Sequence, residues 1–161
     1  MKRLVTVAAL SALALAGCNR NTAIGNDREA GRDPPAQAAP IRPAGSALRN
    51  VSTALIKPET MSDADVAAIG GTEGRCVFTL TEVSFPAFVY TPGEQGFIKL
   101  NGTLIPLDPA GADRFESGQL IVTTRLLDTR GNAGLRGLEM IVVPPGAGDE
   151  LGYRGYTSCD G

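Results

Sequence analysis

The amino-acid sequence predicts a mainly β domain: a small antiparallel barrel or sandwich of six to seven strands, preceded by one short helix and closed by a disulfide. Three observations lead there. From Arg75 onward apolar and polar residues alternate with the period of two that marks half-buried strands. Gly and Pro together make 31 of 161 residues, well above their usual share of about 12%, which favours turns and short strands over long helices. All eight aromatic residues lie between Phe78 and Tyr156, so the core belongs to the C-terminal half.

The first segment, residues 1–17, reads as an address. Lys2 and Arg3 precede an apolar, Ala-rich stretch from Leu4 to Leu15, the length of a signal-peptide core and shorter than the ~20 residues that span a bilayer. Leu15-Ala16-Gly17-Cys18 resembles the lipobox of bacterial lipoproteins. The resemblance implies lipid transfer to the Cys18 thiol, cleavage before it and acylation of the new amino group. Two or more acyl chains anchor stably where one does not. Asn19 in place of the Asp that retains such proteins at the inner membrane implies the outer membrane, with the domain facing the periplasm. Removing Lys2 and Arg3 from 15 basic residues leaves 13 against 17 acidic ones, so the mature chain is mildly acidic.

Residues 18–50 carry Pro34, Pro35, Pro40 and Pro43 among small and polar residues, with too little large apolar surface to offset the entropy of ordering; a disordered tether is expected. Residues 51–74 form a lead-in with a short helix. Ser62 is its N-cap, Asp65 completes a capping-box pair, Met61 and Val66 fit the hydrophobic staple, and Gly70-Gly71 stop it. At about two turns it needs something to dock on.

The β domain is expected over residues 75–161. Cys76, Phe78 and Leu80 share one face of a first strand. Phe85 to Tyr90 is a second run, where Pro86 calls for an edge, a bulge or a strand start. Between Phe97-Ile98-Lys99-Leu100 and Thr103-Leu104-Ile105-Pro106 stands Asn101-Gly102, the signal of a type I′ hairpin because both turn residues need positive φ. That register sets Leu100 opposite Thr103, Lys99 opposite Leu104 and Ile98 opposite Ile105, with Ile98, Leu100 and Ile105 facing the core. Gln119 to Leu127 and Leu138 to Val143 form a longer hairpin around Asp128–Asn132. Pro144-Pro145-Gly146 ends it, and Tyr153 to Cys159 is the last strand. With Cys18 assigned to lipid, Cys76 and Cys159 remain to pair in an oxidising compartment, joining the first strand to the last.

Composition excludes several functions. The absence of His removes Ser-His-Asp and Cys-His nucleophile systems and HExxH zinc sites. A net charge of -2 offers no basic surplus for nucleic acid. Glu82, Glu94, Asp108, Asp113, Glu116 and Asp128 sit mostly in turns, where solvation keeps carboxylates from acting as general acids. No metal site, cofactor or catalytic residue is expected. Candidate partner-binding residues are Lys99, Arg125 and Arg154, as a basic stripe on the outer sheet face able to grip an acidic partner or glycan carboxylate, and Tyr90, an aromatic anchor with Phe88.

The lipobox, tether and disulfide-closed small β domain resemble in plan the lipoprotein inhibitors of host lysozyme in Gram-negative envelopes, whose Ser-Gly-rich loop feeding a Tyr-containing motif has no counterpart here. From Cys76 through Phe78 and Phe88 to Ile98-Lys99-Leu100-Asn101-Gly102-Thr103-Leu104 the chain is similar to small uncharacterised bacterial lipoproteins. The function expected is that of a lipid-anchored, non-catalytic domain that binds an envelope protein or glycan. The alternative is a small-molecule or lipid carrier with a pocket inside the β domain.

Overall fold

A computed structural model describes residues 36–159. The expected signal peptide, Cys18 and the first part of the tether lie outside the described residues. Eight antiparallel strands follow one another around a closed barrel: β1 (Cys76–Thr79), β2 (Pro86–Tyr90), β3 (Gly96–Leu100), β4 (Thr103–Pro109), β5 (Arg114–Ser117), β6 (Leu120–Arg130), β7 (Arg136–Val143) and β8 (Leu151–Cys159). The architecture is therefore a barrel, and the count of six to seven strands is corrected to eight. The strand missing from that count is β5. It is four residues long, half of them charged, and only Phe115 and Ser117 are buried, so its alternation is too short to read.

The Asn101-Gly102 turn has φ values of 47° and 69°, and Leu100↔Thr103, Lys99↔Leu104 and Ile98↔Ile105 pair as the turn type requires. Pro86 opens β2, where it needs no ladder N–H, beside a register irregularity in β1. β6 runs to Arg130, further than the alternation suggested, because an irregularity between Leu126 and Arg130 lets it resume pairing with β7 at Arg130↔Arg136. The seam is β1 against β8, where Cys76 and Cys159 pair directly and are disulfide-bonded across 83 residues of chain. Gly155 lies at this seam, where a Cβ would run into the Thr79 carbonyl and the Phe78 ring.

Inward positions fill the barrel. Phe78, Phe88, Ile98, Leu100, Ile105, Leu107, Phe115, Leu120, Val122, Met140 and Val142 are fully buried together. A smaller apolar layer lies outside β2–β4, where Met61, Ile69, Val89 and Leu104 pack with Val66 and Phe97. It is covered by α2 (Asp63–Ala68), which has the expected Ser62–Asp65 capping box. The staple partners Met61 and Val66 share this layer, which is the surface that so short a helix needs.

Residues 36–50, expected as the end of the tether, are docked on the barrel instead. The Ile41 backbone bridges Leu104, with Arg42 N donating to Leu104 O and Leu104 N to Pro40 O, both at 3.0 Å. β5 pairs β4 only at Asp108 and Pro109, so this piece of chain occupies a stretch of β4 that β5 does not reach and satisfies backbone that would otherwise be an open edge. α1 (Ala44–Ala47) follows, with Ala44 fully buried and Leu48 nearly so. Composition pointed to disorder because this stretch has few large apolar residues; Ala44 and Leu48, together with Ile56 from the lead-in, find places in the barrel core.

Candidate functional site

In an up-and-down barrel the connections alternate between its two ends. At one end lie the turns 80–85, 101–102, 118–119 and 144–150, and the N-terminal segment closes it. Ala44 N donates to Ser117 Oγ at 3.1 Å, Asn101 Nδ2 to Leu55 O at 2.9 Å, and Gly102 N to Glu59 Oε2 at 2.9 Å. Ala44, Leu48 and Ile56 join the interior cluster from that side.

The opposite end is open. Turns 91–95, 110–113 and 131–135 surround it together with the disulfide, and a cavity of about 640 Å³ occupies the mouth. Its existence follows from the inward-facing residues, which are buried along most of each strand and become exposed at this end. Along β6 they run Leu120, Val122, Thr124, Leu126, and along β7 Val142, Met140, Leu138, Arg136. Below the mouth Tyr90 stacks on Phe88 with ring centres 4.7 Å apart, and Phe115 meets both edge-on. Tyr90 is the floor of the cavity, and Phe88 and Phe115 back it from the packed interior. Around it stand Thr124, Leu138 and Thr157, with Pro92, Asp113, Leu126, Leu135 and Arg136 nearer the rim.

Three hydroxyls meet at the floor. Burial pushes the Tyr90 phenol pKa up; the neighbouring Thr157 and Thr124 hydroxyls oppose the rise, and the Asp113 carboxylate adds to it. Thr157 is 6% exposed, and its Oγ1 is shut off from solvent beside the Tyr90 hydroxyl.

Of the residues singled out in the sequence, Tyr90 lines the mouth, although as a buried floor residue rather than a projecting anchor. The basic stripe does not form. Arg125 and Arg154 converge on Glu139 across the outer faces of β6, β7 and β8, and Arg125 first among them holds the Glu139 pKa down. Lys99 is elsewhere, under α2, where its Nζ lies 2.7 Å from Asp65 Oδ2. It is a structural cation, not a free one. Alternation puts Lys99 on an outer face but cannot show that the preceding helix covers that face. Thr124, Leu126, Arg136, Asp113 and Thr157 were missed as site residues. The signal available was the same alternation, carried past Val122 to Thr124 and Leu126 and back along β7 from Leu138 to Arg136.

Among the described residues no group of three or more His, Cys, Asp or Glu side chains is arranged to hold a metal ion. The chain belongs to a family described as a domain of unknown function (DUF6692), whose model matches residues 14–161. No curated protein and no solved structure matches it.

Proposed function

We propose that this member of the DUF6692 family is a lipid-anchored protein of the bacterial envelope, held at the outer membrane on its periplasmic side, whose barrel binds an envelope protein or glycan without catalysing a reaction. The observation that carries the binding role is the difference between the two barrel ends. One is closed by the chain's own Ala44, Leu48 and Ile56, and the other is left as a mouth of about 640 Å³ with Leu126 and Arg136 exposed in its lining. A cavity of this size is within the range of ligand sites.

A carrier is the weaker reading. Phe78, Phe88, Phe115 and Met140 fill the interior, so cargo would be confined to the mouth, whereas ligand pockets bury most of the surface of what they hold. A projecting group of a larger partner suits a mouth better. The anchor is supported by Leu15-Ala16-Gly17-Cys18 after an apolar core with Lys2 and Arg3 ahead of it.

The test is crosslinking in intact cells followed by affinity purification and mass spectrometry, on the full-length protein, a Cys18→Ala variant and a Leu126→Asp/Arg136→Glu variant. Both mouth positions are exposed, so the last variant retains the fold. The full-length protein should capture one dominant partner, the mouth variant should lose it, and Cys18→Ala should leave the membrane fraction. Capture unaffected by the mouth variant would refute the reading.

A further inference from the structure

The chemistry of the mouth is more specific than that of a general contact surface. Arg136 faces inward on β7 at the rim, and its register partner on β8 is Thr157. Among the described residues Arg136 forms no ion pair. Its guanidinium presents several donors at the rim. Two strands away, where the chain enters β5, Asp113 supplies an exposed carboxylate; its backbone carbonyl accepts from Thr124 N at 2.9 Å. It too is without an ion pair among the described residues. Between the two charges the lining is aliphatic, from Leu126, Leu135 and Leu138. The aromatic floor offers no open ring face for a sugar, because Tyr90 is 4% exposed and its ring is stacked on Phe88 and met by Phe115.

We propose that the mouth binds the free carboxyl end of a peptide: the terminal carboxylate on the Arg136 guanidinium, the last aliphatic side chain against Leu126, Leu135 and Leu138, and a basic residue upstream facing Asp113. The proposal rests on the mouth being the binding site and names what enters it. Capture of a chain-end carboxylate by fixed donors is a recurring mode of peptide recognition.

The experiment is a calorimetric and NMR titration of the full chain in detergent with acetyl-Lys-Ala-Leu bearing a free carboxylate, with its carboxyl-terminal amide, and with an N-acetylglucosamine oligomer. The free acid should move the resonances of Thr124, Leu126, Arg136 and Thr157, and the amide should bind at least about tenfold more weakly, the loss expected for a charge-assisted contact. Arg136→Gln should abolish the difference between acid and amide. Asp113→Asn should weaken the lysine peptide but not its lysine-acetylated form. Equal binding of acid and amide would overturn the proposal. Binding of the oligosaccharide alone at the same residues would overturn it while leaving the mouth as the site. If no probe moves the mouth resonances and the mouth variant still captures its partner in cells, both readings fall.

Discussion

Asp65 is the residue whose loss should cost the domain most for the fewest atoms changed. It is 1% exposed, and its carboxylate accepts from Ala39 N at 2.6 Å, Ser62 N at 2.8 Å and Lys99 Nζ at 2.7 Å. Three pieces of chain meet there: the docked N-terminal segment, the start of α2 and the outer face of β3. Burial by itself would raise the Asp65 pKa, but the Lys99 ammonium, the two amides and the Ser62 hydroxyl together outweigh it and hold the pKa at about 2, below its ordinary value of 3.8. At about 1.4 kcal/mol per pH unit, that difference corresponds to about 2 kcal/mol of stability. Because the folded-state pKa is the lower one, the contribution is complete above the unfolded value of 3.8 and is lost as pH falls through about 2. Asp65→Asn removes the charge, leaves Lys99 beneath α2 without its partner, and should destabilise by about 2 to 4 kcal/mol at neutral pH. Lys99→Met should cost less, since Asp65 keeps its amide donors, and the double variant should recover part of the loss. The assay is urea unfolding of each protein across a pH series. The native protein and Asp65→Asn should converge in stability between about pH 4 and pH 2. Parallel curves through that window would refute the assignment of Asp65 as the charged tie between the three segments.

Other outcomes follow from the same structure. Cys76→Ser should lower the melting temperature markedly, since a bond closing a loop of 83 residues stabilises by about 4 to 5 kcal/mol on the chain-entropy argument; an unchanged melting curve would contradict the clasp. Gly155→Ala should destabilise by about 2 kcal/mol or more by overpacking, because the new methyl meets backbone at the β1–β8 seam, and equal urea midpoints would sink that account. Asn101→Ala should cost about 1 to 3 kcal/mol, through the positive φ of 47° and the lost bonds to Leu55 and Lys57; hydrogen exchange should rise first over residues 53–59, and uniform exchange would argue against a docked plug.

The sequence made the strands legible where local chemistry decides them. Asn101-Gly102 fixes its own turn type and therefore the register of β3 and β4. Ser62 and Asp65 announce α2, and the two remaining cysteines bond as expected. What depends on closure was not legible. A strand as short as β5 is recognisable only by the neighbours that pair with it. The docking of residues 36–50 depends on a gap beside β4 that only the closed barrel creates. The candidate site shows the same division. Tyr90 was found because aromatic residues are conspicuous, while Thr124, Thr157 and Arg136 become a site only when three strands bring their inward faces to one end of the barrel. Lys99 was misread for the complementary reason: its outer-face position was right, but α2 and Asp65 cover it.

The measurement that bears most directly on the account is site-specific photocrosslinking in living cells, with a benzoyl-phenylalanine placed at Leu126 in the mouth or at Val83, which is 94% exposed at the plugged end. The account predicts a discrete crosslinked adduct from position 126 and none from position 83. An adduct from position 83 alone, or the same adduct from both, would contradict the assignment of the open mouth as the binding site.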